Sequence, residues 1–206
     1  MLFLDNQTNT VRDDLRKTIR KGSRLSIAAA CFSVYAYQEL KEQLEGVEEL
    51  RFLFTSPTFL KEKVPKAKRE FYIPRLNRER SIYGTEFEVK LRNELTLKAI
   101  SRECADWVRR KVTFKSNTTP EQMPGFITVD ESTYMPISGF TTVDLGCERG
   151  NNVYNFVTRI EASENSRQYL RLFDELWRDD TRLQDVTDEV LESISTAYRA
   201  NSPEFI

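Results

Sequence analysis

The sequence contains no histidine. That absence removes every mechanism in which imidazole serves as nucleophile, general base or metal ligand, so Ser-His-Asp, Cys-His and histidine-nucleophile chemistries are excluded. Cysteine is scarce as well. Cys31, Cys104 and Cys147 stand far apart without CxxC spacing, which argues against a zinc knuckle and against a disulfide framework and leaves them as small buried or half-buried fillers. There is no N-terminal apolar h-region and no apolar run of about eighteen residues, so a soluble, cytoplasmic protein without membrane contact is expected. Neither GxxxxGK[ST] nor GxGxxG occurs, so nothing in these residues is expected to hydrolyse ATP, and no cofactor or metal is implied.

What is present suits a packed globule. The chain has 206 residues, is 39% hydrophobic and holds only seven glycines and seven prolines. Length points to one domain with an appended arm, which we place at 1–180 with a basic excursion at 57–83, followed by a helical linker at 181–206. The ending NSPEFI suggests a piece of something longer. The net charge of −1 conceals an asymmetry: residues 51–120 carry seventeen Lys/Arg against eight Asp/Glu, and 161–206 carry five Arg against eleven Asp/Glu. A surface for an anionic partner is one reading of this; charged helix faces that mix on folding are the other.

Along the chain, TNTVRDDLRKTIRKGS places Val11, Leu15 and Ile19 four apart with Gly22 as a stop, which predicts a helix. LSIAAACFSVY is too uniformly apolar for a half-exposed strand and reads as one buried on both faces. AYQELKEQLEG then predicts a helix and LRFLFTS, Leu50 to Ser56, a second buried strand, giving a strand-helix-strand crossover. A helix or two is expected within GTEFEVKLRNELTLKAISRECADWVRRK, with Thr85 as a candidate cap. VTFKS, FITVD and VYNFVTRI read as strands. After Asn165, Tyr169, Leu172, Phe173, Leu176 and Trp177 form a helical stripe, and Val186 to Tyr198 is a last amphipathic segment.

The order of these parts resembles the phospholipase-D-like domain at the N-terminus of some bacterial Swi/Snf-type superfamily-two helicases. The likeness lies in the opening DNQTNTVRDDLRKTIRKGSRLSIAAACFS, in ISRECADWVRRKVTFKS, and in the closing SGFTTVDLG, NNVYNFVTRI and YLRLFDELWRDD. It implies a three-layer α/β/α sandwich with a mixed, mostly parallel sheet and a helical C-terminal extension leading to a helicase region. It also implies a place where active relatives attack a phosphodiester with histidine while lysine and asparagine hold the phosphate oxygens, two such motifs meeting across a repeat or a dimer. Here MPGFITVDE stands at the His-x-Lys position, so Pro124 replaces the nucleophile and Phe126 the lysine. Gly139 stands at the asparagine, with Ser138, Phe140 and Thr141 keeping the character of that turn, and Glu131 or Asp130 stands at the acid. The resemblance therefore implies a degenerate phosphate pocket at Pro124, Phe126, Ser138, Gly139 and Thr141, without catalysis.

Four further features compete with bland readings. Lys61, Lys63, Lys66, Lys68, Arg69, Arg75, Arg78 and Arg80 gather against few acids, with Phe71 and Tyr72 available to stack on unpaired bases. This is the pattern of a nucleic-acid site, DNA before RNA, or else of a solvated loop paired with the acidic helices. Glu88-Val89-Lys90 copies the Glu-x-Lys of metal-dependent nucleases, yet Thr85, Glu86 and Glu88 read as a capped first turn. Asp130 and Glu131 are adjacent, which on a strand sends them to opposite faces. Trp107 and Trp177 are expected in core packing. The function expected is an inactive accessory domain of a helicase-like protein that binds or positions nucleic acid. The alternative is a module for self-association, possible homodimer included, without nucleic-acid binding.

Overall fold

The computed structural model describes residues 1–60, 94–148 and 155–199. Their elements run β1 (Leu2–Leu4), α1 (Val11–Thr18), β2 (Arg24–Ala29), α2 (Val34–Leu44), β3 (Glu49–Phe54), α3 (Glu94–Lys111), β4 (Val112–Asn117), β5 (Phe126–Val129), β6 (Ser132–Met135), β7 (Val157–Ile160), α4 (Glu164–Arg178), β8 (Leu183–Asp185) and α5 (Thr187–Arg199). The eight strands make one open sheet in the order β1-β7-β6-β5-β2-β3-β4-β8.

The uniformly apolar segments form the centre, as their lack of alternation dictates. β2 and β3 pair in parallel, Ile27 opposite Phe52, and β4 continues the parallel set with Phe114 opposite Phe52. The expectation of a mostly parallel sheet is corrected at this point. β5 enters antiparallel beside β2, and β6, β7, β1 and, at the far edge, β8 all follow antiparallel, so only two of the seven pairings are parallel. Asp130 and Glu131 are the reason on one side. They form a two-residue turn with Asp130 at φ 51°, which folds β5 back onto β6 instead of continuing a strand.

Helices cover both faces. Leu15 of α1, Leu40 of α2, Trp107 of α3 and Ile194 of α5 join Ile27 and Phe52 in a single buried cluster. On the other face α4 stands alone among the described helices, its Phe173 meeting Ala28, Leu53 and Phe126. Trp107 is fully buried and donates Nε1–H to the Leu44 carbonyl at 3.0 Å, so it is a core side chain. Trp177 is half-buried and stacks on Phe173, centroids 5.6 Å apart. Leu172, expected in the same stripe, lies outside it and is exposed.

Two boundaries also shift. α1 ends at Thr18, short of Gly22, because Ile19 leaves the helix in an extended conformation after donating to the Leu15 carbonyl. The strand read as LSIAAACFSVY stops at Ala29, and its last residues become a cap: the Ser33 hydroxyl accepts from the Tyr35 amide, opening α2 at Val34. At the C-terminus, the linker placed at 181–206 is part of the fold as far as it is described. β8 pairs with β4, and Val186, Val190 and Ile194 are buried in the main core.

Candidate functional site

In open α/β sheets ligands gather where parallel strands end. β2, β3 and β4 end together at Ala29, Phe54 and Asn117, and at that edge the segment 137–140 runs alongside 30–33. Ala30 donates to the Ser138 carbonyl, Phe140 to the Cys31 carbonyl and Ser33 to the Phe140 carbonyl, each at 2.9 Å. Two glycines make this approach possible. A Cβ on Gly125 would lie 1.8 Å from the Ile137 carbonyl oxygen, and one on Gly139 would lie 2.6 Å from Cys31 Sγ and 2.8 Å from Asp144 Oδ2.

The sequence SGFTTVDLG continues from this crossing into a single helical turn. Thr141 acts as its cap: the Asp144 amide donates to Thr141 Oγ1 at 3.2 Å, and Thr141 Oγ1 donates to Asp144 Oδ2 at 2.6 Å. The Asp144 carboxylate also accepts from the backbone amides of Gly139 and Thr141. This is the reciprocal arrangement of a capping box, with aspartate in the role usual for glutamate. Leu145 donates back to the Thr141 carbonyl, and Gly146 at φ 76° ends the turn. Burial raises the Asp144 pKa above its usual value, against the opposing pull of those hydrogen bonds. Asn6, itself at φ 53°, clamps the turn to α1. Its Nδ2 donates to the Asp144 carbonyl, its Oδ1 accepts from the Val11 amide, and Arg12 donates to the Leu145 carbonyl.

The five residues expected to form a degenerate pocket are neighbours by backbone and strangers by side chain. Ile137 donates to the Gly125 carbonyl at 3.0 Å, which sets 124–126 beside 137–139. Pro124 and Ser138 are exposed. The Phe126 ring instead turns to the α4 face, 5.2 Å from the Tyr169 ring, while Phe140 packs with Phe32 in the opposite cluster. The amides of Gly139 and Thr141, which could have faced an incoming phosphate, serve the chain's own carboxylate.

Asp130 has a structural duty. It accepts from Ser23 Oγ at 2.8 Å and from the Arg24 amide at 2.9 Å, fastening the β5–β6 turn to the start of β2, the end of the sheet opposite the carboxyl edge. Among the described residues, no group of three or more Cys, Asp or Glu is placed to hold a metal ion.

A polar cluster that sequence reasoning missed closes the edge at β3 and β4. Asn117 is fully buried; its Nδ2 donates to the Thr55 and Glu121 carbonyls at 3.0 and 2.6 Å, and its Oδ1 accepts from the Thr119 amide and hydroxyl. Ser116 Oγ accepts from the Thr58 amide at 2.8 Å. The only sequence signal was an Asn at the end of an apolar strand. Every hydrogen of that side-chain amide is used, so the cluster is an anchor that fixes how the chain leaves β3.

Residues 61–93 follow directly from that anchor. All ten candidate nucleic-acid residues, Lys61 to Arg80, lie outside the described residues, as do Thr85, Glu88 and Lys90. Both attachment points are described. The chain departs after Leu60 beyond the carboxyl end of β3 and resumes at Glu94, the N-terminal end of α3. α3 runs without a loop into β4, whose first residue Val112 sits opposite Leu50 at the start of β3, so Glu94 belongs to the carboxyl-edge side of the sheet. No protein-family model matches this chain, and no curated protein matches it.

Proposed function

We propose that this chain is an accessory domain without phosphodiesterase activity, of phospholipase-D-like descent, that binds or positions nucleic acid for a helicase-like region of the same protein. The observation that carries the reading is the attachment of a segment with eight Lys/Arg between positions 61 and 80 to the carboxyl edge of the sheet at both ends. Backbone phosphates are held by such cation clusters, and Phe71 and Tyr72 offer faces for unpaired bases. Loss of chemistry is supported by the missing histidine, by Pro124 and Phe126 at the reactive positions, and by Asp144 in the amide cradle.

Binding of single- and double-stranded DNA, followed by fluorescence anisotropy at about 50 mM salt, tests this. Affinity should fall steeply with salt, and reversing Lys66, Lys68 and Arg69 to Glu should weaken it at least about tenfold. Salt-insensitive binding, or binding indifferent to the reversal, overturns it. Turnover of a model phosphodiester by purified protein in chelator would overturn the inactive part. Self-association is a second reading, and the outer edge of β1 favours it.

A further inference from the structure

Five large apolar side chains remain exposed among the described residues, and four of them gather at one place: Met1 at 88%, Leu2 at 37%, Phe3 at 57% and Phe156 at 43%. They mark the β1 end of the sheet. β1 is a terminal strand, paired to β7 through Leu2 with Arg159, Phe3 with Thr158 and Leu4 with Val157, and no described strand lies along its other side. Leu4 faces the main core; Phe3 faces the α4 side, where its ring lies 5.0 Å from that of Phe156. α4 covers Ala28, Leu53 and Phe126 of the central strands and leaves this end of the face open, with Thr158 and Ile160 half-buried beside Phe3.

The two edges of the sheet are managed differently. At the β8 edge the strand is bracketed by charge, with Arg182 before it and Asp185 at its end, which deters further pairing. β1 has no charged residue, no proline and no bulge. Asp5, which follows the strand, is turned into its own loop, where the amides of Gln7, Thr8 and Asn9 and the Thr8 hydroxyl all donate to it. Those four donors keep its pKa well below the usual carboxylate range and tie the carboxylate to the loop.

We propose that β1 is a self-association edge, on which a second copy of this chain pairs its own β1 antiparallel about a two-fold axis. An antiparallel two-fold keeps corresponding faces together, so Phe3 and Phe156 of both copies meet on the α4 side in one aromatic cluster while main-chain hydrogen bonds carry the sheet across. The side chains of β1 are uncharged, so an uncharged strand then meets an uncharged strand, whereas a strand with charged side chains would leave its ions unpaired against Leu2 and Phe3. This surface is separate from the carboxyl edge, so its failure and that of the nucleic-acid reading can be told apart.

Sedimentation equilibrium of the whole chain across about 1 to 100 µM tests the proposal. We expect a monomer–dimer equilibrium in which Phe3→Asp, on an exposed side chain that should not disturb folding, raises the dissociation constant at least about tenfold without altering DNA affinity. Phe3→Cys should form an intermolecular disulfide under mild oxidation, and Lys17→Cys on exposed α1 should not. A strict monomer overturns the proposal. So does a dimer insensitive to Phe3→Asp, a mass that grows without limit as β1 pairs with β8 of the next copy, or cross-linking equal at positions 3 and 17.

Discussion

The two faces of the sheet are built from different chemistry. On the face shared by α1, α2, α3 and α5 the rings of Phe32, Phe52, Phe54, Phe114 and Phe140 interlock at centroid distances of 4.9 to 6.4 Å, and shape complementarity does the holding. On the other face α4 is fastened by cations. Arg51 reaches from β3 to Asp174 at 2.7 Å and lies 5.0 Å from the centroid of Phe173 and 5.8 Å from that of Trp177. Lys115 lies 5.0 Å from the centroid of Trp177 and donates to its carbonyl. A lone helix cannot exclude water from its whole contact, so long amphipathic side chains complete the seal, apolar stem inward and charge at the rim. The lesson is that one sheet can be stabilised by packing on one side and by ionised groups on the other, with different responses to solvent.

The sharpest test of that contrast is Phe52→Ala, which opens a cavity in the interlocked face. Its expected cost is about 3 to 5 kcal/mol in urea unfolding. Next comes Asp14→Ala. Asp14 accepts from Arg159 Nη1 at 2.9 Å and from the Tyr134 hydroxyl at 2.8 Å, in a pocket where Arg159 Nε already has no partner. Removing the carboxylate leaves the guanidinium with Glu161 as its remaining ion-pair partner and takes the Tyr134 hydroxyl's acceptor, at an expected cost of about 2 to 3 kcal/mol, measured in the same way. On the α4 face Arg51→Ala should cost less, about 1 to 2 kcal/mol. It should also flatten the salt dependence of the thermal midpoint, since the ion pair it removes is partly exposed. Equal salt dependence in the two proteins would break the contrast.

The smallest effect separates two aspartates. Burial raises the Asp144 pKa, so its contribution to stability is complete below the ordinary carboxylate pKa of about 4 and declines as pH rises through the raised value. Asp5, held low by its hydrogen bonds, contributes in the opposite sense, fully above about pH 4 and progressively less as pH falls. Relative to wild type, Asp144→Asn should therefore gain stability as pH rises and Asp5→Asn as pH falls, read from thermal midpoints between about pH 3 and 7.

The sequence made the central crossover legible because strands buried on both faces cannot hide: LSIAAA and LRFLF put apolar residues on both faces, with Ser26 and Arg51 as the exceptions, and the helix between them carries its own cap at Ser33. It concealed β1, β6 and β8, which are three or four residues long and owe their existence to pairing. Strand direction was hidden for the same reason, since nothing local in FITV or VTRI says which way a neighbour runs. At SGFTTVDLG the local signal is legible. Thr141-x-x-Asp144 followed by Gly146 is a cap and a stop, and the Gly139 and Thr141 amides bond to the Asp144 carboxylate. The basic cluster is legible in sequence and lies outside the described residues.

The placement of the first strand bears on how the protein is made. Leu2 pairs with Arg159, so β1 is synthesised long before the strand it pairs with, whereas Leu25 and Leu50 of β2 and β3 can meet early. High sequence separation of this kind slows the closing steps of folding, and until β7 arrives the apolar stretch Leu2–Leu4 has no strand to pair with.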